Sequence, residues 1–479
     1  MEKREVDVLV VGGGTAGLAA YHEVRKAGRR ALLVNGGPWG TTCARVGCMP
    51  SKLLIAAAEA RYHALHADRF GVYTPGGVSV DGRAVMARVQ SERDRFVGGV
   101  LRNTERIAAE DRWSGWARIT GWGEAEVEGR GTVAWSRLVV ATGSAPSIPE
   151  AFRNLGERLL TTDNVFDLPD LPPSMAVIGT GVIGLELGQA FQRLGVEVLF
   201  LDMAPHLQVA KDVAIRGRVE EVLGEELDLQ LGASALHAER SAEGVLLRWT
   251  DAEGRVRTRG VHSVLVATGR HALLDGLGLE RLGVEVPARG PLPVHPETMQ
   301  WGEHPVFVAG DANRDRPLLH EASDEGHIAG RNAARWPEVE PVRRRTPLTL
   351  VFTDPQLALV GPPACDLDPE NTVYGEVDWR DQGRARVMAR NEGLARIYAD
   401  RRTRRVVAAQ IFGPSAEHLG HLMAWALETE ETVDTLLTRP FYHPVLEEGL
   451  RTALRALAKT LETPTTNARP TFDCPRPGG

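Results

Sequence analysis

An α/β fold is predicted, with two doubly wound units and a smaller αβ unit behind them, and three observations predict it. A strand–turn–helix–strand pattern carrying three spaced glycines occurs twice, in VLVVGGGTAGLAAYHEVRKAGRRALLVN (8–35) and MAVIGTGVIGLELGQAFQRLGVEVLFLD (175–202). Apolar strands ending in Ala-Thr-Gly follow the two copies, in LVVATGSAP (138–146) and VLVATGRHA (264–272). Toward the C-terminus the pattern changes to hairpin signals such as Asn391-Glu392-Gly393 and a Leu/Met/Ala-rich helix near His418–Leu427.

Bulk properties fit that reading. A chain of 479 residues has room for roughly three or four domains. Its 43% hydrophobic and 25% charged residues are those of an ordinary globular protein. A formal charge of −7 with no basic region argues against a nucleic-acid partner. The densest basic run, Arg343-Arg344-Arg345, reads as a solvated loop. No apolar run approaches the ~18 residues of a membrane span. MEKREVDVLVVGGG leads from charged residues straight into a strand, which is not a signal-peptide pattern. Four cysteines are too few for a secreted disulfide framework, so a reducing cytoplasm is expected, where any disulfide would be catalytic.

In the first copy the glycines are Gly12, Gly14 and Gly17; in the second they are Gly179, Gly181 and Gly184. One makes the tight turn, one lets backbone approach a pyrophosphate, and one lets helix pack on strand, while the helix N-terminus faces the phosphates. A single such pattern is weak evidence; two, each inside a complete unit, predict two Rossmann-like dinucleotide sites. Asp202 ends the second strand of the later copy, placed for the ribose hydroxyls of NAD, and Met203-Ala204-Pro205-His206 supplies no arginine for a 2′-phosphate. In the earlier copy that position is Asn35, neutral but still able to hydrogen-bond a ribose. VFVAGDANRDRPLLHEASDEG (306–326) is another buried strand ending at Gly310-Asp311, where ligands of open α/β sheets bind.

GTTCARVGCMPSK (40–52) places Cys43 and Cys48 just after the first unit. Structural burial, a metal half-site and a redox pair are the three readings. No partner ligand pair at metal spacing appears. Pro50 and the following LLIAAAEARYHALHA put Cys48 at a helix N-terminus, where dipole and free N–H groups favour a thiolate. Redox is the favoured reading.

On GGGTAG, TTCARVGCMPSK, ATGSAP, GTGVIGLELG, ATGR and AGD, the chain resembles the pyridine nucleotide–disulfide oxidoreductases, the dihydrolipoamide dehydrogenases above all. FTDPQLALVG (352–361) and FYHPVLEEGL (441–450) extend the match, which runs from about residue 5 to 460. The resemblance implies FAD on Gly12-Gly14-Gly17, with Asn35, Thr42, Ala117 and Thr142-Gly143-Ser144 nearby and Asp311 on its ribityl chain. It implies that Lys52 stands beside the flavin, paired with Glu186. NAD would lie on Gly179-Gly181-Gly184, with Asp202 on the ribose and Gly269 close by. Cys43 would exchange with substrate, Cys48 would face the flavin, and His443, oriented by Glu448, would be the base. Because the family presents this histidine to the other subunit, a homodimer is implied, with a lipoyl protein or free dihydrolipoamide as substrate.

The expected divisions are an FAD-binding domain (1–147), an NAD-binding domain (148–270), a central segment completing the FAD site (271–344) and an αβ interface domain (345–462). The Pro/Thr-rich tail (463–479) is expected to be poorly ordered. Leu450, Leu454, Leu457 and Leu461 recur at helical spacing, as core or dimer packing. Cys365 and Cys474 are expected to be single cysteines with bland roles.

Two departures stand out: Thr41 where the family has glycine, and Ala44-Arg45 between the cysteines, which brings a cation near the pair. With Asn35 they suggest a divergent member serving a particular lipoyl protein. Another NAD(P)H-dependent disulfide or mercuric-type reductase is the alternative, although the tail has one cysteine where that type needs two. A flavoprotein with a binding or assembly role is the third reading.

Overall fold

A computed structural model describes residues 2–288, 290–463 and 469–474. The strand Glu2–Val11 lies at the centre of a seven-stranded sheet, parallel to Ala31–Asn35 on one side and Gly131–Val140 on the other. Arg112–Ser114 adds a parallel edge beside Ala31–Asn35. The long strand Gly131–Val140 pairs antiparallel with Glu124–Val127 over its first half and parallel with Val306–Val308 over its last residues. Ala117–Gly121 closes that antiparallel edge. Val8, Leu9 and Val10 are all fully buried, as a central strand covered on both faces requires. Helices Thr15–Lys26 and Leu319–Arg335 pack against each other over one face, so the first glycine turn and the segment 306–326 share one layer.

The second copy builds a separate five-stranded parallel sheet in the order Asp228–Gln230, Glu197–Leu201, Ser174–Ile178, Ser263–Val266, Leu159–Leu160. Beside it lies a three-stranded antiparallel sheet over Ser234–Arg240, Val245–Thr250 and Val256–Val261. The C-terminal part forms a five-stranded antiparallel sheet from Leu348–Val351 to Thr372–Asp378, with the helix Glu447–Glu462 packed on Thr372–Asp378. Leu450, Leu454 and Leu457 point into this unit's core and Leu461 packs at its margin, so the leucine stripe is core packing.

Four expectations need correction. Cys365 and Cys474 are not single: they form a disulfide, well away from the Cys43–Cys48 pair. The tail is not loose where it is described. Phe472 packs against Leu367, Tyr398 and Ala408, the Val213 N–H donates to the Thr471 carbonyl, and Arg216 pairs with Asp473. Residues 464–468 and 475–479 lie outside the described residues. Within the basic run only Arg343 and Arg345 are solvated; Arg344 is buried against Glu321 and Glu325, both at 2.6 Å. Finally, Asn391-Glu392-Gly393 is not a tight hairpin, because the short helix Gly383–Val387 intervenes between the paired strands Thr372–Asp378 and Leu394–Asp400. Among the described residues no helix is long and apolar enough to cross a membrane.

Candidate functional site

Both glycine turns have the shape their spacing demands. Gly12 has φ +114°, and a Cβ there would overlap the Ala141 carbonyl; a Cβ on Gly17 would overlap the Gly12 carbonyl. The second turn repeats this, with Gly179 against Ala267 and Gly184 against Gly179. Gly14 and Gly181 are the N-cap residues of their helices, with nothing over them, so backbone N–H groups face open space at both helix starts. The residue ending the second strand braces each turn. Asn35 Oδ1 accepts from the Gly13 N–H at 3.0 Å, and Asp202 Oδ2 accepts from the Thr180 N–H at 2.7 Å and its hydroxyl at 2.8 Å. The other Asp202 oxygen accepts from Ala204 N–H at 2.8 Å. Gly269, at φ +100°, accepts through its carbonyl from the Ser147 N–H beside the second unit.

The two thiols sit on consecutive helices. Cys43 lies in Thr42–Val46, and Cys48 is the first residue of Cys48–Leu65, whose first turn includes Pro50. Thr41 caps the shorter helix at φ 59°, ψ 149°, a conformation β-branched residues rarely adopt. Both cysteines are free, and their acidities split. Hydrogen bonding to Cys48 and burial push the Cys43 thiol well up. The bond from Cys43, helped by the Lys52 charge, brings Cys48 down to about 7 against the opposing effect of burial. Cys48 is therefore the more acidic thiol of the pair.

Cys43 and Cys48 open into a cavity of about 790 Å³ that also touches Gly14, Thr42, Lys52, Gly143, Glu186 and Asp311. Lys52 Nζ meets Glu186 at 2.6 Å and lies 4.3 Å from the Phe352 ring centroid. Glu186, only 5% exposed, also accepts from the Phe352 N–H at 2.9 Å, so two elements hold it. Ser144 donates to Asp311 at 2.5 Å. Thr142 presents a buried hydroxyl without a partner among the described residues. The bare glycine turn, this orphan hydroxyl, Asp311 and the cavity fit a flavin dinucleotide. The cavity wall does not reach Gly12, Asn35, Ala117, Asp202 or the Gly179-Gly181-Gly184 turn, which lie outside it. Ala117 is half-buried at the start of its strand.

His443 and Glu448 form a pair of their own. Glu448 Oε2 lies 3.0 Å from His443 Nδ1 and accepts from the Val445 N–H, while Oε1 takes Arg451 at 2.7 Å. Despite the cost of desolvation, these donors hold the Glu448 carboxyl below its ordinary range. The His443 side chain is 80% exposed and outside the thiol cavity. Its Nε2 is therefore turned away from Glu448 and has no hydrogen-bond partner among the described residues. Arg45 is half-buried beside Gly40 and is not part of the cavity wall.

Sequence reasoning missed two supports. Arg270 donates to the Ser144 hydroxyl and carbonyl, both at 2.8 Å, tying the second unit to the Asp311 corner. Glu325, fully buried, accepts from the Gly310 N–H and Asn313 at 2.7 Å and from Arg344 at 2.6 Å, which fixes the turn before Asp311. Arg270 directly follows Ala267-Thr268-Gly269 and Glu325 lies near the end of the 306–326 segment, and neither carries a local signal of its own. Among the described residues no cluster of three or more metal-ligating side chains occurs.

Comparison with known proteins identifies the family. Residues 6–326 match the family model "Pyridine nucleotide-disulphide oxidoreductase", and residues 348–454 match the dimerisation domain of that family. The chain is 30% identical to dihydrolipoyl dehydrogenase 2 of Haloarcula marismortui over 467 residues, covering 94% of this chain and 96% of that protein. It is also 30% identical to a mercuric reductase of Streptomyces lividans, over 95% of this chain and 96% of that one. The crystal structure of LpdA from Mycobacterium tuberculosis superposes with a TM-score of 0.81 at 26% identity, covering 94% of this chain and all of that one.

Proposed function

The chain belongs to the pyridine nucleotide-disulphide oxidoreductase family, with FAD and NAD as cofactors, and from that premise we propose that it oxidises a dihydrolipoyl dithiol through Cys43 and Cys48. The observation that carries the reading is the thiol pair with split acidities at the Lys52–Glu186 wall. FAD would rest on Gly12, Gly14 and Gly17 with Asp311, and NAD on Gly179, Gly181 and Gly184. Bound FAD supplies the two-electron link between the thiols and NAD. On this reading 1–147 and 271–344 form the FAD unit, 148–270 the NAD unit and 345–462 the interface unit.

The residues divide the work as follows. A substrate thiol near its ordinary pKa of ~8.5 is mostly protonated at neutral pH and needs a base. His443 takes that proton at Nε2, its Nδ1 held by Glu448, which stabilises the imidazolium. The substrate thiolate attacks Cys43 of the oxidised pair, forming a mixed disulfide and releasing Cys48 as thiolate. The second substrate thiol then attacks the substrate sulfur of the mixed disulfide and gives its proton to Cys43 as the Cys43 sulfur is displaced. The substrate leaves as its disulfide, and His443 keeps the first proton beside the Cys48 thiolate. Two electrons now reside in the Cys43–Cys48 dithiol. His443 lies outside its own chain's thiol cavity and residues 348–454 match the family's dimerisation domain, so on this reading the active unit is a homodimer, each base serving the partner's pair.

The test is NAD reduction by the purified yellow protein on adding dihydrolipoamide, with NADP in parallel. NAD-dependent turnover supports the reading; bound FAD and a reducible pair without turnover would reject this substrate. The Streptomyces relative makes mercuric-type reduction the second reading. Against it, the tail cysteine Cys474 is already bonded to Cys365.

A further inference from the structure

The first dinucleotide turn lacks a carboxylate at its strand end, and the neutral residue there is committed to the protein. Asn35 Oδ1 takes the Gly13 N–H, and its amide donates to the Gly37 carbonyl at 2.6 Å. Two indoles gather around this spot. Trp39 donates from Nε1 to Ser114 Oγ at 3.0 Å and lies against Gly13, where a Cβ would strike its ring. Trp116 lies across Gly36, where a Cβ would likewise overlap the indole. Asn35 and Ser114 are register partners on adjacent parallel strands, and the Gly115 N–H donates to the Asn35 carbonyl. Trp116 therefore stands at the carboxyl ends of the strands beside the glycine turn, where the adenosine half of a dinucleotide lies in such a sheet. Yet Trp116 is 63% exposed, so that beyond Gly36 it keeps a large apolar face open. The second unit has no counterpart: after Asp202 come Met203, Ala204 and Pro205.

We propose that Trp116 is the adenine platform of the first site, with Trp39 lining the glycine turn beside it, so that this chain grips the adenosine of FAD by stacking instead of through a strand-end carboxylate. The inference rests on the reading that the first glycine turn holds FAD. Gly36 and Gly13 are part of the device, because any side chain at either would displace an indole. Ring-on-base stacking needs no charge and tolerates an asparagine that is busy elsewhere.

The test compares flavin release from the holoenzyme on dilution, followed by the rise of free flavin fluorescence, in wild type and in Trp116→Ala, Trp116→Phe and Trp122→Ala. Trp122 is a second exposed tryptophan, away from this strand end. FAD release should be about tenfold faster in Trp116→Ala, close to wild type in Trp116→Phe and unchanged in Trp122→Ala. The same proteins exchanged into FMN, which lacks adenosine, should release it at one common rate. Equal FAD release from wild type and Trp116→Ala would overturn the proposal. So would a Trp116→Ala variant that releases FMN faster by the same factor, because Trp116 would then only prop the turn. A wild-type protein that holds no FAD would sink the underlying reading, a result visible without any variant.

Discussion

Replacing Lys52 by methionine in the reduced protein should raise the pH at which Cys48 ionises, and replacing Cys43 by alanine should raise it further. The order follows from what lowers Cys48 to about 7: the hydrogen bond from Cys43 contributes most, burial opposes it, and the Lys52 charge comes next. A thiol of pKa about 7 is about half thiolate at pH 7, whereas one at the ordinary ~8.5 is about 3%. Losing Lys52 removes the nearby cation and also leaves Glu186, whose charge disfavours the thiolate, unopposed. A rise of about one unit would leave about a tenth of Cys48 ionised at pH 7. The double variant Lys52→Met/Glu186→Gln should recover part of that rise. The assay is the rate of Cys48 alkylation by iodoacetamide against pH, with the modified cysteine identified by mass spectrometry. A wild-type midpoint at 8.5 or above, or a Lys52→Met midpoint that does not move, would refute the reasoning.

Three further outcomes are expected. His443→Gln should slow dithiol oxidation by about 10²- to 10⁴-fold while leaving flavin content intact, and Glu448→Gln should act in the same direction; steady-state rates beside flavin absorbance check both. Burial, opposed by Arg344, raises the Glu325 carboxyl from 4.5 to about 7. The folded state then holds this proton more tightly than the unfolded chain. Its stabilising contribution is complete below about pH 4.5 and is lost as pH rises through about 7. Glu325→Gln should flatten the slope of urea midpoints across that window. Thr41→Gly should relieve a residue held at φ 59° and raise stability by about 1 kcal/mol, read as a higher denaturation midpoint.

Local geometry made much of this molecule legible in advance. Glycine spacing encodes a turn within six residues, so both dinucleotide turns could be read directly, and Pro50 marked the helix that starts at Cys48. Pairings across long stretches of chain were not written locally. Arg344 resembles any solvated arginine until Glu321 and Glu325 arrive from a helix packed beneath it. Arg270 finds Ser144 across 126 residues, and Cys365 finds Cys474 across 109. Polar composition made the tail look loose, but six described residues carry one aromatic, one acid and one cysteine, each with a partner on the body. Lys52 with Glu186 became readable only through resemblance, since 134 residues separate them.

The Cys365–Cys474 bond makes the polypeptide a lasso. Everything between those residues, His443 and Glu448 included, belongs to one closed covalent ring. A loop of this size removes about 4.7 kcal/mol of freedom from the unfolded chain in the simple entropic model. The knot of the lasso is also moored: the Asp473 N–H donates to the Lys211 carbonyl, and Arg216 grips the Asp473 side chain, both across the boundary with the second unit. A protease that cuts once inside the ring would therefore release no fragment. The two ends would stay covalently on one molecule until a thiol reductant opened the Cys365–Cys474 bond.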